Sequence, residues 1–275
     1  MNSIDQLSIY SILLICLVTQ IISIEIGFRF GEVRQGKPNK SQMAQVRAIM
    51  GASLGLLAFM LAFSFNAAQK HFEARTGAYM LEVSAIDSAF RGSDLIKKEE
   101  REVAKDLLRK FATLRVDTGR VAKENDMKRV VDMIRESELI HDQLWSLAER
   151  SMEGSGDGED TGIFAQAVLA MIDAHDARIQ YSFFNRIPPI IWLTLFGMAA
   201  LSMAVMGYQA GLTGTRSSFA TWTLALTFAF VMTLIADLDR PRMTFFKLNQ
   251  DLMVELNNRM DGGNPWDLEA HRNNP

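Results

Sequence analysis

The chain has one cysteine in 275 residues, Cys16, so no intrachain disulfide is possible. It has no basic tract and carries a net charge of −3, which gives no reason to propose a nucleic-acid partner. There is no phosphate loop, no Gly-x-Ser-x-Gly elbow and no paired Cys or His motif, so the commonest nucleotide, hydrolase and zinc readings fall away. Asp157, Glu159 and Asp160 lie in a glycine-rich turn that does not match a calcium loop, and they read as a solvated acidic turn. Glu138-x-x-His141 has the spacing of half a di-iron carboxylate site, but no other histidine has a glutamate three residues before it. It therefore reads as a solvated or capping pair. No catalytic residue, metal or cofactor is expected.

Charge is also missing from long stretches. No Lys or Arg precedes the apolar block Ile9 to Gly27 and no small-residue cleavage site follows it, which favours a retained membrane helix over a signal peptide. Glu25 near its far end reads as an interfacial carboxylate. No ionisable residue occurs between Arg47 and Lys70 either, and the segment from Ala48 to Ala68 has the length and composition of a second span. Beyond it no Gly-Pro punctuation intervenes, and Tyr79, Val83, Ile86 and Phe90 keep helical spacing. One helix is expected to leave the bilayer and continue unbroken. Ile187-Pro188-Pro189 marks re-entry, followed by spans from Ile190 to Tyr208 and from Phe219 to Ala236.

Between the second and third spans the chain is strongly charged and reads as all helix. Helices are expected over 95–118, 122–152 and 163–186, separated by Gly92-Ser93-Asp94 and by the turn 153–162. Each shows one apolar stripe, including an alanine face of Ala167, Ala170, Ala174 and Ala177, and stripes of this kind require a bundle. The expected architecture is all-α: four transmembrane helices with an extramembrane helical bundle inserted between spans 2 and 3. The expected domains are 1–69, 70–186 and 187–240, with 241–275 as a tail that includes an interfacial amphipathic helix built on Phe245, Phe246, Leu248, Leu252 and Leu256.

Several residues stand out. Gly51 and Gly55 form a G-x-x-x-G pair on the second span, and Gly197, Gly207 and Gly211 form a small-residue stripe on the third; the two sets are expected to dock. Phe59 and Phe63 are one turn apart with Asn66 beyond them. Repeated around an axis these would line a pore and form a dewetting constriction; the alternative is ordinary packing within one subunit. Asp173, His175, Asp176 and Arg178 crowd one helical turn, either as a proton-sensitive cluster or as surface pairs. Asp237, Asp239 and Arg240 sit where the fourth span ends, and a capping and pairing role is favoured over an ion-selecting vestibule. The loop between spans 1 and 2 carries Arg29, Arg34, Lys37, Lys40 and Arg47 against Glu32, which by the positive-inside rule places it in the cytoplasm and the helical domain in the periplasm. Arg216 agrees with this orientation, while Arg240, Arg242 and Lys247 oppose it.

The segments GLLAFMLAFSF in the second span, FEAR (72–75) with Glu82 beyond it, SAIDSAFRGSDL (84–95), MIDAHDAR (171–178), RIPP (186–189), GYQAG (207–211) and ADLDRP (236–241) occur in one order along the chain. In these the sequence resembles the bacterial bestrophin-like domain family. It departs at Glu82-Val83-Ser84, where the family tends to have Glu-Ala-Asn, and at Arg242-Met243-Thr244, where a glycine is usual. The resemblance implies four spans with a helical domain between the second and third. It also implies kinship to bestrophins, pentameric anion channels whose pore is lined by the second span. The expectation is thus a multi-pass protein of the bacterial inner membrane, a homo-oligomeric ion channel whose partners are lipid, ions and further copies of itself. Alternatives are a non-conducting membrane sensor or scaffold, and an enzyme using a metal near Glu138 and His141.

Overall fold

A computed structural model of the chain describes residues 8–34, 40–124, 126–153, 158–214, 218–240 and 251–262. Lys37, Asp157, Arg216, Pro241, Arg242 and Lys247, the segment Phe245 to Leu248, and the side chain of Glu159 lie outside the described residues. Helices α1 (Ile9–Val33), α2 (Lys40–Gly92), α3 (Lys98–Glu124), α4 (Met127–Glu153), α5 (Gly158–Phe183), α6 (Pro189–Thr213), α7 (Ser218–Asp239) and α8 (Asp251–Met260) account for nearly all of them, and no strand occurs among them. Four of these helices, α1, α2, α6 and α7, are long and apolar enough to cross a membrane. The fold is all-α, with a charged helical region between the second and third spans.

The helix ends follow from local chemistry. α6 begins at Pro189, whose missing N–H costs nothing in a first turn, and stops at Gly214, which adopts φ 64° and returns its N–H to the Gly211 carbonyl. Asp126 caps α4 by accepting the Arg129 N–H at 3.0 Å. α2 runs unbroken for 53 residues, about 80 Å of helix at 1.5 Å per residue. It starts earlier than expected, because Lys40 to Arg47 are helical instead of loop. It ends at Gly92, after which Ser93–Leu95 form a single 3-10 turn.

The chain divides into two compact units: Met1–Glu73 with Asn185–Lys247, and Ala74–Phe184 with Leu248–Pro275. In the first, Leu57, Leu61 and Ala68 of α2 join Leu195 and Ala199 of α6 and Ala229, Met232 and Ile235 of α7 in one core. Leu14, Val18, Ile22, Leu193, Leu201 and Phe230 point outward, as a surface solvated by lipid requires. The tightest seam joins α1 to α6. A Cβ on Gly27 would land on the Ala204 carbonyl, one on Gly207 on the Ile24 carbonyl, and one on Gly211 on the Phe28 carbonyl. The expected docking of span 3 glycines on span 2 is therefore corrected: Gly207 and Gly211 meet the first span. Glycines at Gly27 and Gly31 supply the complementary groove on α1, which lets the two backbones touch.

The second unit has its own core, in which Ile86 and Ala89 of α2, Leu108 and Phe111 of α3, Leu144 and Leu147 of α4, and Phe164, Val168 and Met171 of α5 are buried. Two expectations are corrected here. The inward face of α5 is Phe164, Ala165, Val168, Met171 and Ala174 rather than the alanine stripe, of which Ala170 is exposed. α8 does not present its apolar face outward as an interfacial helix would: Met253, Leu256 and Met260, at i, i+3 and i+7, are buried in this core. Its ends are tied down by the Met253 N–H donated to Tyr79 Oη at 3.0 Å and by Arg109 Nε donated to the Met260 carbonyl at 2.9 Å.

Candidate functional site: an open helix face and a buried charge hub

Within the first unit α2 has two unlike faces. Leu57, Leu61, Ser64 and Ala68 turn inward, while Ala52, Gly55, Phe59, Phe63, Asn66 and Lys70 recur at three- and four-residue spacing on the exposed side. Phe59 and Phe63 are 64% and 68% exposed, and their rings lie 6.5 Å apart at an interplanar angle of 28°. Added Cβ atoms on Gly51 and Gly55 would meet nothing within 4 Å, and the same is true of Gly197 on α6. The aromatic pair, the amide of Asn66 and the two α2 glycines are thus left uncovered by the described helices.

Near the end of the fourth span, Asp237, Asp239 and Arg240 are all buried. Asp239 Oδ1 accepts the Ile187 N–H at 2.9 Å and lies 3.2 Å from His71 Nδ1, while its carbonyl accepts from Arg186 Nη1 at 3.0 Å. The carboxylate holds the segment leading into α6 against the middle of α2 and the end of α7. Within one chain Asp239 joins helices, and all three side chains are buried.

The densest chemistry lies in the helical unit, around a residue that the sequence offered only within the family segments. Glu82 of α2 is fully buried. Its Oε1 lies 2.9 Å from Arg115 Nε of α3 and 2.8 Å from His175 Nδ1 of α5, and its Oε2 pairs with Arg178 Nη1 of α5. Burial on its own would push this carboxyl up. The Arg115 and Arg178 charges and the His175 hydrogen bond outweigh it and hold the group at about 2. An ionised carboxylate only accepts, so His175 Nδ1 donates. The Arg178 guanidinium also sits 4.8 Å from the centre of the Tyr79 ring. His141 of α4 packs edge-on against Phe111 and His175, each at 4.8 Å. Burial and the neighbouring His175 push His141 down to about 3, and burial likewise lowers His175. Both imidazoles are neutral at pH 7.

Of the expected crowded turn, His175 and Arg178 enter this hub, while Asp173 and Asp176 are exposed and Asp176 reaches His175 only through its charge. The reading of His141 as solvated or capping is corrected: it is buried on the same α4 face as Ser137, Leu144 and Ala148, while Glu138 is exposed. No cluster of three or more His, Cys, Asp and Glu suited to a metal occurs among the described residues. An open groove of about 580 Å³, lined by Val103, Leu107, Asp142, Ser146 and Arg150 among others, lies elsewhere, between α3 and α4. The hub's chemistry is electrostatic cross-linking: one carboxylate ties α2, α3 and α5, His141 adds α4, and Tyr79 adds α8.

A model of the Bestrophin-like domain matches residues 18–243, well over half of the chain. The chain belongs to the bestrophin-like family. No curated protein and no solved structure is a significant match. The family and the four apolar helices together make this a membrane protein. In the bestrophin-like chain the matched region takes in both the open α2 face and the Glu82 hub.

Proposed function

We propose that this protein is a homo-oligomeric ion channel whose pore is lined by the exposed face of α2. The observation that carries the reading is the state of that face. Two large aromatic rings, two glycines with open space around them and the amide of Asn66 are uncovered on a helix whose opposite side is buried in its own unit. Lipid would accept the rings, but Asn66 and Lys70 on the same face favour water, and a symmetric ring of copies supplies it. Phe59 and Phe63 then form the apolar constriction, with anions as the permeant class that kinship to bestrophins suggests. Five copies is the number taken from that kinship. The basic residues Arg29, Arg34 and Arg47 flanking the first connection support a helical unit on the periplasmic side of a bacterial inner membrane.

Purified protein in planar bilayers should conduct, and Phe63→Ala should raise single-channel conductance by widening the constriction. Absence of current from an intact oligomer would overturn the reading. A second reading, a non-conducting sensor or scaffold, draws on the exposed Val131, Leu139, Ile163 and Leu169 of the helical unit, which would take a protein partner. It requires a monomer or dimer that copurifies with another protein.

A further inference from the structure

Around the Glu82 hub three buried nitrogens have no hydrogen-bond partner among the described residues: Nη1 of Arg115, Nε2 of His141 and Nε2 of His175. They come from α3, α4 and α5, all within the helical unit, and their side chains are 5%, 6% and 0% exposed. Packing gathers them. The His141 and His175 rings lie 4.8 and 5.5 Å from the Phe111 ring and 4.8 Å from each other, and Arg115 follows Phe111 by one turn of α3. Thr118 and Ser137, buried hydroxyls on α3 and α4, each give their one proton to a carbonyl of their own helix, at 2.6 and 3.0 Å. Neither therefore supplies a donor to an imidazole. Polar nitrogens left unanswered in a low-dielectric core are costly, and natural cores pair them.

The chemistry of the three nitrogens fixes what can join them. His175 donates from Nδ1 to Glu82, so its Nε2 is a lone pair that needs a donor. Arg115 Nη1 can only donate, and His141 Nε2 takes either role by choice of tautomer. An anion accepts only and would meet the His175 lone pair. Nor does charge demand one, because Glu82 already answers Arg115 and Arg178 reaches the surface. A metal cation would face the Arg115 guanidinium. We infer that a bound water molecule bridges Arg115, His141 and His175, accepting from Arg115 Nη1, donating to His175 Nε2 and completing a third bond with His141 Nε2. The site makes His141 a hydrogen-bonded member of the hub, tying α4 to Glu82 through water and His175. It stands independently of the pore reading.

Crystals of the full-length protein grown with bromide as the halide, diffracting well enough to show water, give the direct test. One peak at about 2.7–3.2 Å from all three nitrogens, without anomalous signal, is expected. A bromide peak there would assign the site to an anion and overturn the inference, as would a site with no peak. Denaturant unfolding at pH 7 reads the same question by sign. His141→Phe keeps the ring packing and removes the bridging nitrogen, so the midpoint should fall. His141→Gln sets an amide nitrogen at similar reach and should recover most of the loss. In a dry site Phe would instead relieve an unanswered nitrogen and raise the midpoint, which would overturn the inference. An equal fall in both variants would mark a packing role and overturn it too.

Discussion

The membrane helices carry two sets of glycines that look alike in sequence and sit in opposite situations. Gly27, Gly31, Gly207 and Gly211 close the α1–α6 seam so tightly that a methyl group on any of them would strike the other helix's backbone, whereas Gly51, Gly55 and Gly197 face open space. A small-residue stripe thus states only that something comes close. The chain's own helices answer the first set, and the second is left for lipid, water or another copy. The helical unit repeats the contrast in charges. Glu82 is buried among two arginines and a histidine, while pairs such as Lys110 with Glu136 lie on the surface.

The largest expected effect breaks the closed set. Gly207→Val drives side-chain atoms onto the Ile24 carbonyl, where neither helix has a flexible side chain to give way. The loss should reach or exceed the roughly 3 kcal/mol upper end of overpacking, seen as failure to recover folded protein in detergent. Gly55→Ala should leave the unfolding of the single chain unchanged, and a comparable loss there would erase the distinction between the two sets.

Glu82→Ala comes next. It strands Arg115 and Arg178 beside an apolar core and should cost about 3–5 kcal/mol, read from denaturant unfolding of the intact protein. The pH dependence points the same way. The Glu82 carboxyl is held below its ordinary 4.5, at about 2, so its contribution is complete above pH 4.5 and disappears as pH falls toward 2. His141 is held below its ordinary 6.5, at about 3, so the unfolded chain takes up a proton that the folded one refuses as pH falls from 6.5 toward 3. Both terms lower stability in acid. Thermal melts should decline from pH 6.5 downward and steepen below 4.5, and His141→Phe should flatten the upper part of that decline.

Leu256→Ala tests whether α8 belongs to the core of the helical unit. Leu256 is fully buried, and its truncation should cost roughly 2–4 kcal/mol and speed amide exchange across Asp251–Met260. No change would return α8 to the interface. Smallest of all, Lys110→Ala removes an exposed pair at 3.4 Å from Glu136 and should alter stability by less than about 1 kcal/mol.

Much of the architecture was legible because its signals are long. Uncharged runs of membrane length mark four spans, and the Gly92 and Pro188-Pro189 punctuation places the boundaries of the helical region to within a few residues. What escaped is what depends on rotation by a single residue. Arg115 lies on the buried stripe Ala104, Leu108, Phe111 and Arg115, while Val103, one residue before Ala104, is half exposed. Glu82 stood in plain view one turn after Tyr79 and one before Ile86, on a stripe that is otherwise buried. A lone acid on a core face is a signal for buried counter-charges, and His175 with Arg178 on α5 were the available partners. Which glycines meet which was not legible, because the spacing is the same in all three spans and only the assembled helices choose.

A pore along α2 requires that its open face be covered by further copies of the same chain. The direct measurement is the native mass of the purified protein in detergent or nanodiscs, with and without Gly55→Val. A mass of several times the 30.9 kDa chain, falling when Gly55 is enlarged while each chain stays folded, is the predicted result. A single 30.9 kDa chain in both samples would contradict it.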